Sequence, residues 1–356
     1  MIRARIRKQF PAGRDSAGFT LDVDLQAGSA ITVLFGPSGS GKTLALDCIA
    51  GFVRPDEGRI MLDDDILFDG ATGVHVPARN RRCGYVFQNY ALFPHMTLRQ
   101  NLQFAAERLP RLERHRKVNE MIEKFRLGDV PGRRPHQVSG GQKQRCSIAR
   151  ALIASPRFLL LDEPARGLDA PLREELYSIL REVRADFRIP VLLVTHDLDE
   201  GFQLGDEMLV VRDGRIVQSG PPRTVIEQPA SVEVARLLGL YNLLPVEIKA
   251  LDPSRNSSRL RYKEFDLTGL YIPGHLIGDK VWMCIRRDEV RAMPREGKPG
   301  PNQIPATLEN VIDRPGSLRL DFAEDLAAEM PHAQFNGSER AKEWLIEFPP
   351  ASLRVI

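Results

Sequence analysis

The apolar run Ala30-Ile31-Thr32-Val33-Leu34-Phe35 leads directly into Gly36-Pro37-Ser38-Gly39-Ser40-Gly41-Lys42-Thr43. An uninterrupted apolar run before a glycine-rich turn reads as a buried central strand. Leu44–Ala50, ended by Gly51, reads as a helix. Strand, Gly-x-x-x-x-Gly-Lys-Thr and helix is the context in which this octapeptide holds phosphate. Glycines let the backbone turn tightly and aim its N–H groups inward, and the helix adds its positive end. Lys42 then reaches the β and γ phosphates of a nucleotide and Thr43 ligates Mg²⁺. ATP and Mg²⁺ are therefore the expected ligands. The bland alternative, a chance lysine in a turn, does not account for both flanking elements.

Phe158-Leu159-Leu160-Leu161-Asp162-Glu163 supplies a second buried strand. It delivers Asp162 to the carboxyl edge of a sheet, where open α/β sheets bind ligands. Asp162 suits the Mg²⁺ shell, and Glu163 can orient or deprotonate an attacking water. Two acids after a strand also suit the first turn of a helix, and Pro164 fits that reading. The pairing with Lys42 favours catalysis. Val191–Thr195 is a further buried strand, and Met208–Arg212 with Arg215–Gln218 reads as a hairpin around Asp213-Gly214. Helical segments intervene at 98–127, Ser147–Ile153, Leu172–Asp186 and Glu200–Leu204. Buried strands alternating with helices predict an α/β phosphate-loop NTPase core with a largely parallel sheet.

The composition changes near Tyr241. Short alternating strands come after it, at Val246–Leu251, Ser258–Phe265, Lys280–Arg286, Ala306–Val311, Ser317–Ala323, Glu343–Phe348 and Ser352–Ile356. This spacing predicts a small all-β barrel or sandwich, with the proline-rich loop Met293–Gln303 separating two of its segments.

Charge narrows the function. The 356 residues carry 50 Lys+Arg against 47 Asp+Glu, a net charge of +3. That is a weak footprint for nucleic acid, which is not an expected partner, and Arg79–Arg82 reads as solvated surface. Cys48, Cys83, Cys146 and Cys284 form no Cys-x-x-Cys pair and read as reduced thiols of a cytoplasmic protein. The basic start Met1–Lys8 leads into no apolar stretch, so it does not read as a signal peptide. No run reaches the ~18–20 apolar residues of a membrane span.

With these motifs in order, the sequence resembles the nucleotide-binding subunits of ATP-binding cassette transporters. Val138-Ser139-Gly140-Gly141-Gln142 resembles the family signature Leu-Ser-Gly-Gly-Gln, with Val for Leu. The resemblance implies that Ser139, Gly140, Gly141 and Gln142 bind the γ phosphate held by the opposite subunit's phosphate loop. Their own chemistry, a hydroxyl and open N–H groups ahead of a helix, agrees with that and equally with a plain helix cap. Gln88 resembles the glutamine that touches Mg²⁺ and water and signals to the membrane subunits. His196, in Val194-Thr195-His196-Asp197, resembles the switch histidine at the γ phosphate. Gly167-Leu168-Asp169 resembles the loop that crosses the dimer, so Asp169 joins the nucleotide site, although Ala165-Arg166 departs from the small pair usual in importers. Phe10 is the implied adenine-stacking aromatic, with Phe19 as the competing choice. Phe10 lies further from Lys42 than is usual, and the insert Pro11–Gly18 accounts for the difference.

The resemblance is specific over residues 1–235, with a helical subdomain at about 89–155. Residues 241–356 resemble the TOBE/OB-like regulatory domains of importer ATPases. The stretch Arg79–Phe104 is similar to the molybdate importer group, while Leu92-Phe93-Pro94-His95 also occurs in sulfate, iron, sugar and polyamine relatives. The resemblance implies an ATPase that powers import, most simply of molybdate. It would work as a homodimer on two membrane-spanning permease subunits, indirectly with a substrate-binding protein. It would sit peripherally on the cytoplasmic face of the inner membrane. Asn89–Thr97 would face the permease, with Tyr90 and Phe93 as exposed anchors. A cassette ATPase acting on nucleic acid or ribosomes would instead carry coiled-coil insertions or a second cassette, and neither is visible. A purely regulatory protein would not need the complete catalytic set.

Overall fold

Every residue of three strands is buried: β3 (Ile31–Phe35), β8 (Phe158–Asp162) and β9 (Val191–Thr195). They lie side by side in the middle of a six-stranded sheet, which is why they read as unbroken apolar runs. The sheet is completed by β7 (Cys83–Val86), β10 (Glu207–Arg212) and β11 (Arg215–Gly220), in the order β11-β10-β3-β9-β8-β7. All its pairings are parallel except the β10–β11 hairpin. The structure is a computed structural model, and it describes residues 1–13, 18–314, 316–335 and 341–356. Residues 14–17 of the Pro11–Gly18 insert lie outside the described residues.

A second, antiparallel sheet is built from β1 (Ile2–Phe10), β2 (Phe19–Ala27), β4 (Glu57–Leu62), β5 (Asp65–Asp69) and β6 (Val74–His75). Strands β1 and β2 alternate buried and exposed residues, as a half-buried sheet requires. Their inner residues Ile2, Ile6, Leu21 and Val23 share one core with Leu46 and Ile49 of helix α1 (Lys42–Ala50) and with Phe158 and Val194. Helix α1 thus packs into a core fed by both sheets, so the phosphate loop that starts it is firmly anchored.

Arg81 corrects the surface reading of Arg79–Arg82. It is 1% exposed. Its guanidinium donates to the carbonyls of Cys48 and Ile49, at 3.0 and 2.8 Å, and to that of Val76 at 2.8 Å. Cys48 and Ile49 lie in the last turn of α1, where intrahelical donors run out, and a cation at a helix C-terminus also meets a favourable dipole. Gly51, at φ 86°, ends α1, and a Cβ there would fall 2.6 Å from Arg81 Nε.

Between β7 and β8 the chain forms helices α2 (Leu98–Ala105), α3 (Arg111–Lys124) and α4 (Gly140–Ile153). Thr97 and Gln100 form a reciprocal cap at the start of α2. Helices α5 (Ala170–Phe187) and α6 (Leu198–Leu204) come after β8 and β9.

The chain divides into Met1–Glu227 and Gln228–Ile356. The division precedes the composition change near Tyr241 because α7 (Val232–Leu238) packs on β12 (Tyr241–Asp252) and β15 (Lys280–Arg286) of the second unit. That unit holds two five-stranded antiparallel sheets. One contains β12, β13 (Ser257–Tyr262), β14 (Phe265–Gly269), β15 and β21 (Arg354–Val355). The other contains β16 (Arg291–Pro294), β17 (Gln303–Arg314), β18 (Ser317–Phe322), β19 (Leu326–Met330) and β20 (Glu343–Glu347). Residues of both sheets, from Leu244 and Leu260 to Leu320 and Trp344, form one core. The expected single strand Ser258–Phe265 is two strands, because the chain turns at Lys263 with φ 51° and pairs Tyr262 with Phe265.

Candidate functional site

Gly41 and the phosphate loop bring the first group of side chains together. Gly41 lies at φ 99°, a left-handed conformation, and a Cβ there would approach the Phe19 ring and Leu21 to 2.9 Å. Only glycine fits both demands. Lys42 is next, 5% exposed. Its Nζ donates to the carbonyls of Gly36 and Pro37 at 2.7 and 2.8 Å, so the ammonium is folded back over the loop. Burial lowers its pKa, opposed by the nearby Glu163 and Asp162. Ser38, Gly39, Gly41, Lys42, Thr43 and Glu163 line a cavity of about 360 Å³ together with Phe19.

Thr43 Oγ1 donates to Asp162 Oδ1 at 3.1 Å. Burial raises the Asp162 pKa, and the Thr43 hydrogen bond opposes the rise. These are hard oxygen donors, the chemistry Mg²⁺ prefers. Among the described residues no cluster of three His, Cys, Asp or Glu could hold a metal. The pair therefore suits a cation that keeps waters and phosphate oxygens rather than one caged by protein.

Glu163 comes directly after β8 at φ 47°, a region that non-glycine residues seldom occupy and that costs energy to hold. Its N–H donates to Val194 O at 2.9 Å, tying it to the neighbouring strand. Its carboxylate collects three partners. Gln88 Nε2 and an Arg166 guanidinium nitrogen reach Oε2 at 3.0 and 2.9 Å, and His196 Nδ1 lies 3.1 Å from Oε1. Lys42, Thr43, Gln88, Asp162, Glu163 and His196, which are spread over more than 150 residues of chain, thus meet at the carboxyl ends of neighbouring strands.

A second cavity, of about 180 Å³, adjoins Glu163 and is lined by Arg166, Gly167, Arg173, His196, Asp197 and Glu200, among others. Asp169 caps α5 by accepting from Leu172 N at 3.0 Å. Glu200 is 2% exposed, and its Oε1 is buried without a hydrogen-bond partner. Burial pushes its pKa up to about 7, opposed by a hydrogen bond to Thr195. Sequence reasoning places Glu200 only at the start of a helix and does not find the Arg173–Asp197 pair at 3.1 Å. A readable signal exists, since Glu200 is the third residue after Asp197, which caps α6.

Other sequence candidates fall elsewhere. Ser139 to Gln142 line neither cavity. Ser139 Oγ accepts from Gln142 N at 3.2 Å while Gln142 Oε1 accepts from Ser139 N at 3.0 Å, a reciprocal cap on α4. Phe10 is 44% exposed, with Lys8 Nζ 5.7 Å from its ring centre. It faces Phe19 across the β1–β2 pair, but Phe19, not Phe10, lines the phosphate-loop cavity. Tyr90 and Phe93 are half-buried rather than exposed. Phe93 packs edge-on against Phe104 at 4.8 Å, and Phe87 and Phe104 are the more exposed rings of this region.

The chain is similar to known proteins over much of its length. A family model described as ABC transporter matches residues 20–166. The molybdenum import ATP-binding protein of Rhodospirillum rubrum is 43% identical over 216 residues, which cover 61% of this chain and 58% of that protein. The chain thus spans less than two thirds of the length of that relative. The spermidine/putrescine import ATP-binding protein of Aliivibrio fischeri is 37% identical over 96% of this chain and 92% of its own. Among solved structures, the dimeric post-hydrolysis state of an ATP-binding cassette bound to ADP and Pi matches with a TM-score of 0.55 and 27% identity. That match covers 63% of this chain and 99% of the other.

Proposed function

The chain belongs to the ABC transporter family, and on that premise we infer that it is the ATP-hydrolysing subunit of an importer. The observation that carries this reading is the convergence of Gln88 and His196 on Glu163, beside Lys42 and the Thr43–Asp162 pair. Lys42 exchanges its two loop carbonyls for the β and γ phosphates, and its lowered pKa is relieved by their charge. Thr43, Asp162 and Gln88 would hold Mg²⁺, which would supply charge neutralisation to the bound phosphates. Glu163 accepts the proton of the attacking water, and His196 orients the carboxylate through Oε1. Phe19 supplies the aromatic face nearest the phosphate loop.

Two copies work as a pair. Ser139, Gly140, Gly141 and Gln142 of one copy close on the nucleotide held by the other, and Asp169 lies on the loop between them. The pair acts on two permease subunits, fed by a substrate-binding protein, at the cytoplasmic face of the membrane. Among the described residues no helix is long and apolar enough to cross a membrane.

The cargo is molybdate on the stronger cassette identity. A second reading, a polyamine, is favoured by a specific observation: the alignment that takes in the C-terminal unit is with a spermidine/putrescine importer protein. Parallel uptake of radiolabelled molybdate and spermidine by a strain lacking this gene separates the two. Loss of spermidine uptake with normal molybdate uptake would replace the first reading by the second. Unchanged ATP turnover after Glu163→Gln would remove the hydrolysis mechanism itself.

A further inference from the structure

Arg166 stands where the family resemblance leads one to expect a small residue. The role of Glu163 as the base leaves this contact unexplained. Arg166 is 58% exposed at its side chain, while Glu163 is 12% exposed. The guanidinium meets Oε2 at 2.9 Å, the oxygen already bonded to Gln88 at 3.0 Å. With His196 on Oε1, three of the roughly four acceptor positions of the carboxylate are taken. A carboxylate so occupied has little left with which to take a proton from water, and a guanidinium donor is the strongest competitor for it. Arg166 immediately precedes Gly167, at φ 74°, and it lines the second cavity rather than the phosphate-loop cavity. Glu163 lines both. The pair therefore bridges the two cavities.

We propose that Arg166 is a positioning residue that restrains Glu163 in the single chain by holding Oε2. Its release frees the carboxylate to act as base. This rests on the reading of Glu163 as the base. The restraint is weak by construction, because an ion pair with one exposed partner is screened by solvent and shifts an equilibrium by about fivefold at most. A restraint of this size persists with nucleotide bound, so it lowers kcat rather than nucleotide affinity.

The test is ATP turnover by the full chain at saturating ATP and Mg²⁺, extrapolated to saturating protein concentration so that pairing does not limit the rate. Arg166→Ala and Arg166→Gln raise kcat by about three- to fivefold at low salt, with KM within about twofold of the parent. Arg166→Lys, which keeps the charge, stays near the parent. Salt screens the pair, so the ratio of variant to parental kcat falls toward one as ionic strength rises from about 0.02 to 0.5 M. In the Glu163→Gln background Arg166→Ala gives no gain, because the effect passes through Glu163. A kcat that is unchanged or reduced in Arg166→Ala overturns the proposal. So does a gain that ignores salt or that persists in the Glu163→Gln background. Parental turnover in Glu163→Gln alone sinks the base reading. A dead Glu163→Gln beside a parental Arg166→Ala sinks only the restraint. Thermal unfolding of each variant verifies that it is folded.

Discussion

The two units treat buried polar groups in different ways. In the C-terminal unit Asn242, 1% exposed, bonds both the N–H and the carbonyl of Ala327, with Oδ1 accepting at 2.7 Å and Nδ2 donating at 2.8 Å. Asn302, 5% exposed, accepts from Thr268 N and donates to the carbonyls of Thr268 and Phe348, all at 2.7 Å. Each amide ties together segments that are distant in the chain. In the cassette, Ser40 Oγ, Gln144 Nε2, Arg173 Nε and Glu200 Oε1 are buried without partners, and the Lys42 ammonium rests on loop carbonyls. Among the described residues, Arg287 Nε is the one such orphaned atom in the β unit. Satisfied amides stabilise and fix one conformation, whereas buried groups without a protein partner cost stability unless water or a ligand meets them. The β unit is built to stay as it is, and the cassette is built to be completed.

Glu163→Gln probes the sharpest consequence of that difference. It removes the charge at the centre of three contacts while keeping shape. Turnover should fall by ~100-fold or more, equivalent to about 3 kcal/mol of barrier. Lys42, Thr43 and Asp162 are untouched, so nucleotide affinity should stay close to parental. Phosphate release beside equilibrium ATP binding checks both, and equal losses in the two would mean that Glu163 serves binding instead.

Asn302→Ala should be the mirror image. It strands the Thr268 N–H and two carbonyls and places alanine at φ 56°. The expected loss is about 2–4 kcal/mol in the unfolding of the C-terminal unit, read by thermal melting. ATP binding by the cassette should not change, and a joint loss would break the contrast between the units.

Glu200→Gln should improve the cassette. The folded carboxyl titrates near 7 against an ordinary 4.5, so the folded chain keeps a proton that the unfolded chain gives up. The group is harmless to folding below about pH 4.5 and increasingly opposes it as pH rises to about 7. At about pH 8 the glutamine variant should be more stable by on the order of 2 kcal/mol, and the gain should vanish below about pH 4.5. Thermal melts across that pH range decide it. A gain independent of pH would mean that the change of hydrogen-bonding group, not the loss of ionisation, carries the effect.

The smallest effect belongs to truncation after Glu227. Every residue of the phosphate-loop cavity precedes that point, so ATP affinity should remain within about an order of magnitude. Fluorescent-nucleotide titration of the folded fragment provides the measurement, and a folded fragment that binds no ATP would show that the cassette depends on the β unit.

Much of the cassette is legible in the sequence because its signals are contiguous. The strand into Gly36, the loop through Thr43 and the strand into Asp162 are each read within a dozen residues, and tertiary packing leaves them intact. Gln88 and His196 are picked out by their motifs, and the strand order of the structure then brings both to Glu163. The features that escape depend on contacts between distant segments. Arg81 looks like one of a surface cluster until the end of α1 is placed against it. Phe10 and Phe19 are directly opposed in register, so only the sheet's placement against the loop shows which ring borders the cavity. In the β unit, β16 and β19 are invisible to the alternation pattern, and Tyr262–Phe265 reads straight through a turn. Short strands with few residues each carry too little alternation to be separated.

The left-handed backbone at Glu163 has an evolutionary consequence. Glycine, or asparagine, holds φ 47° with less strain than glutamate does. A laboratory selection that rewarded heat resistance alone would therefore be drawn to this position early, and on the role proposed for Glu163 each survivor found there would have exchanged turnover for sturdiness. Retention of glutamate at 163 across generations of drift would in turn record that selection had been acting on turnover.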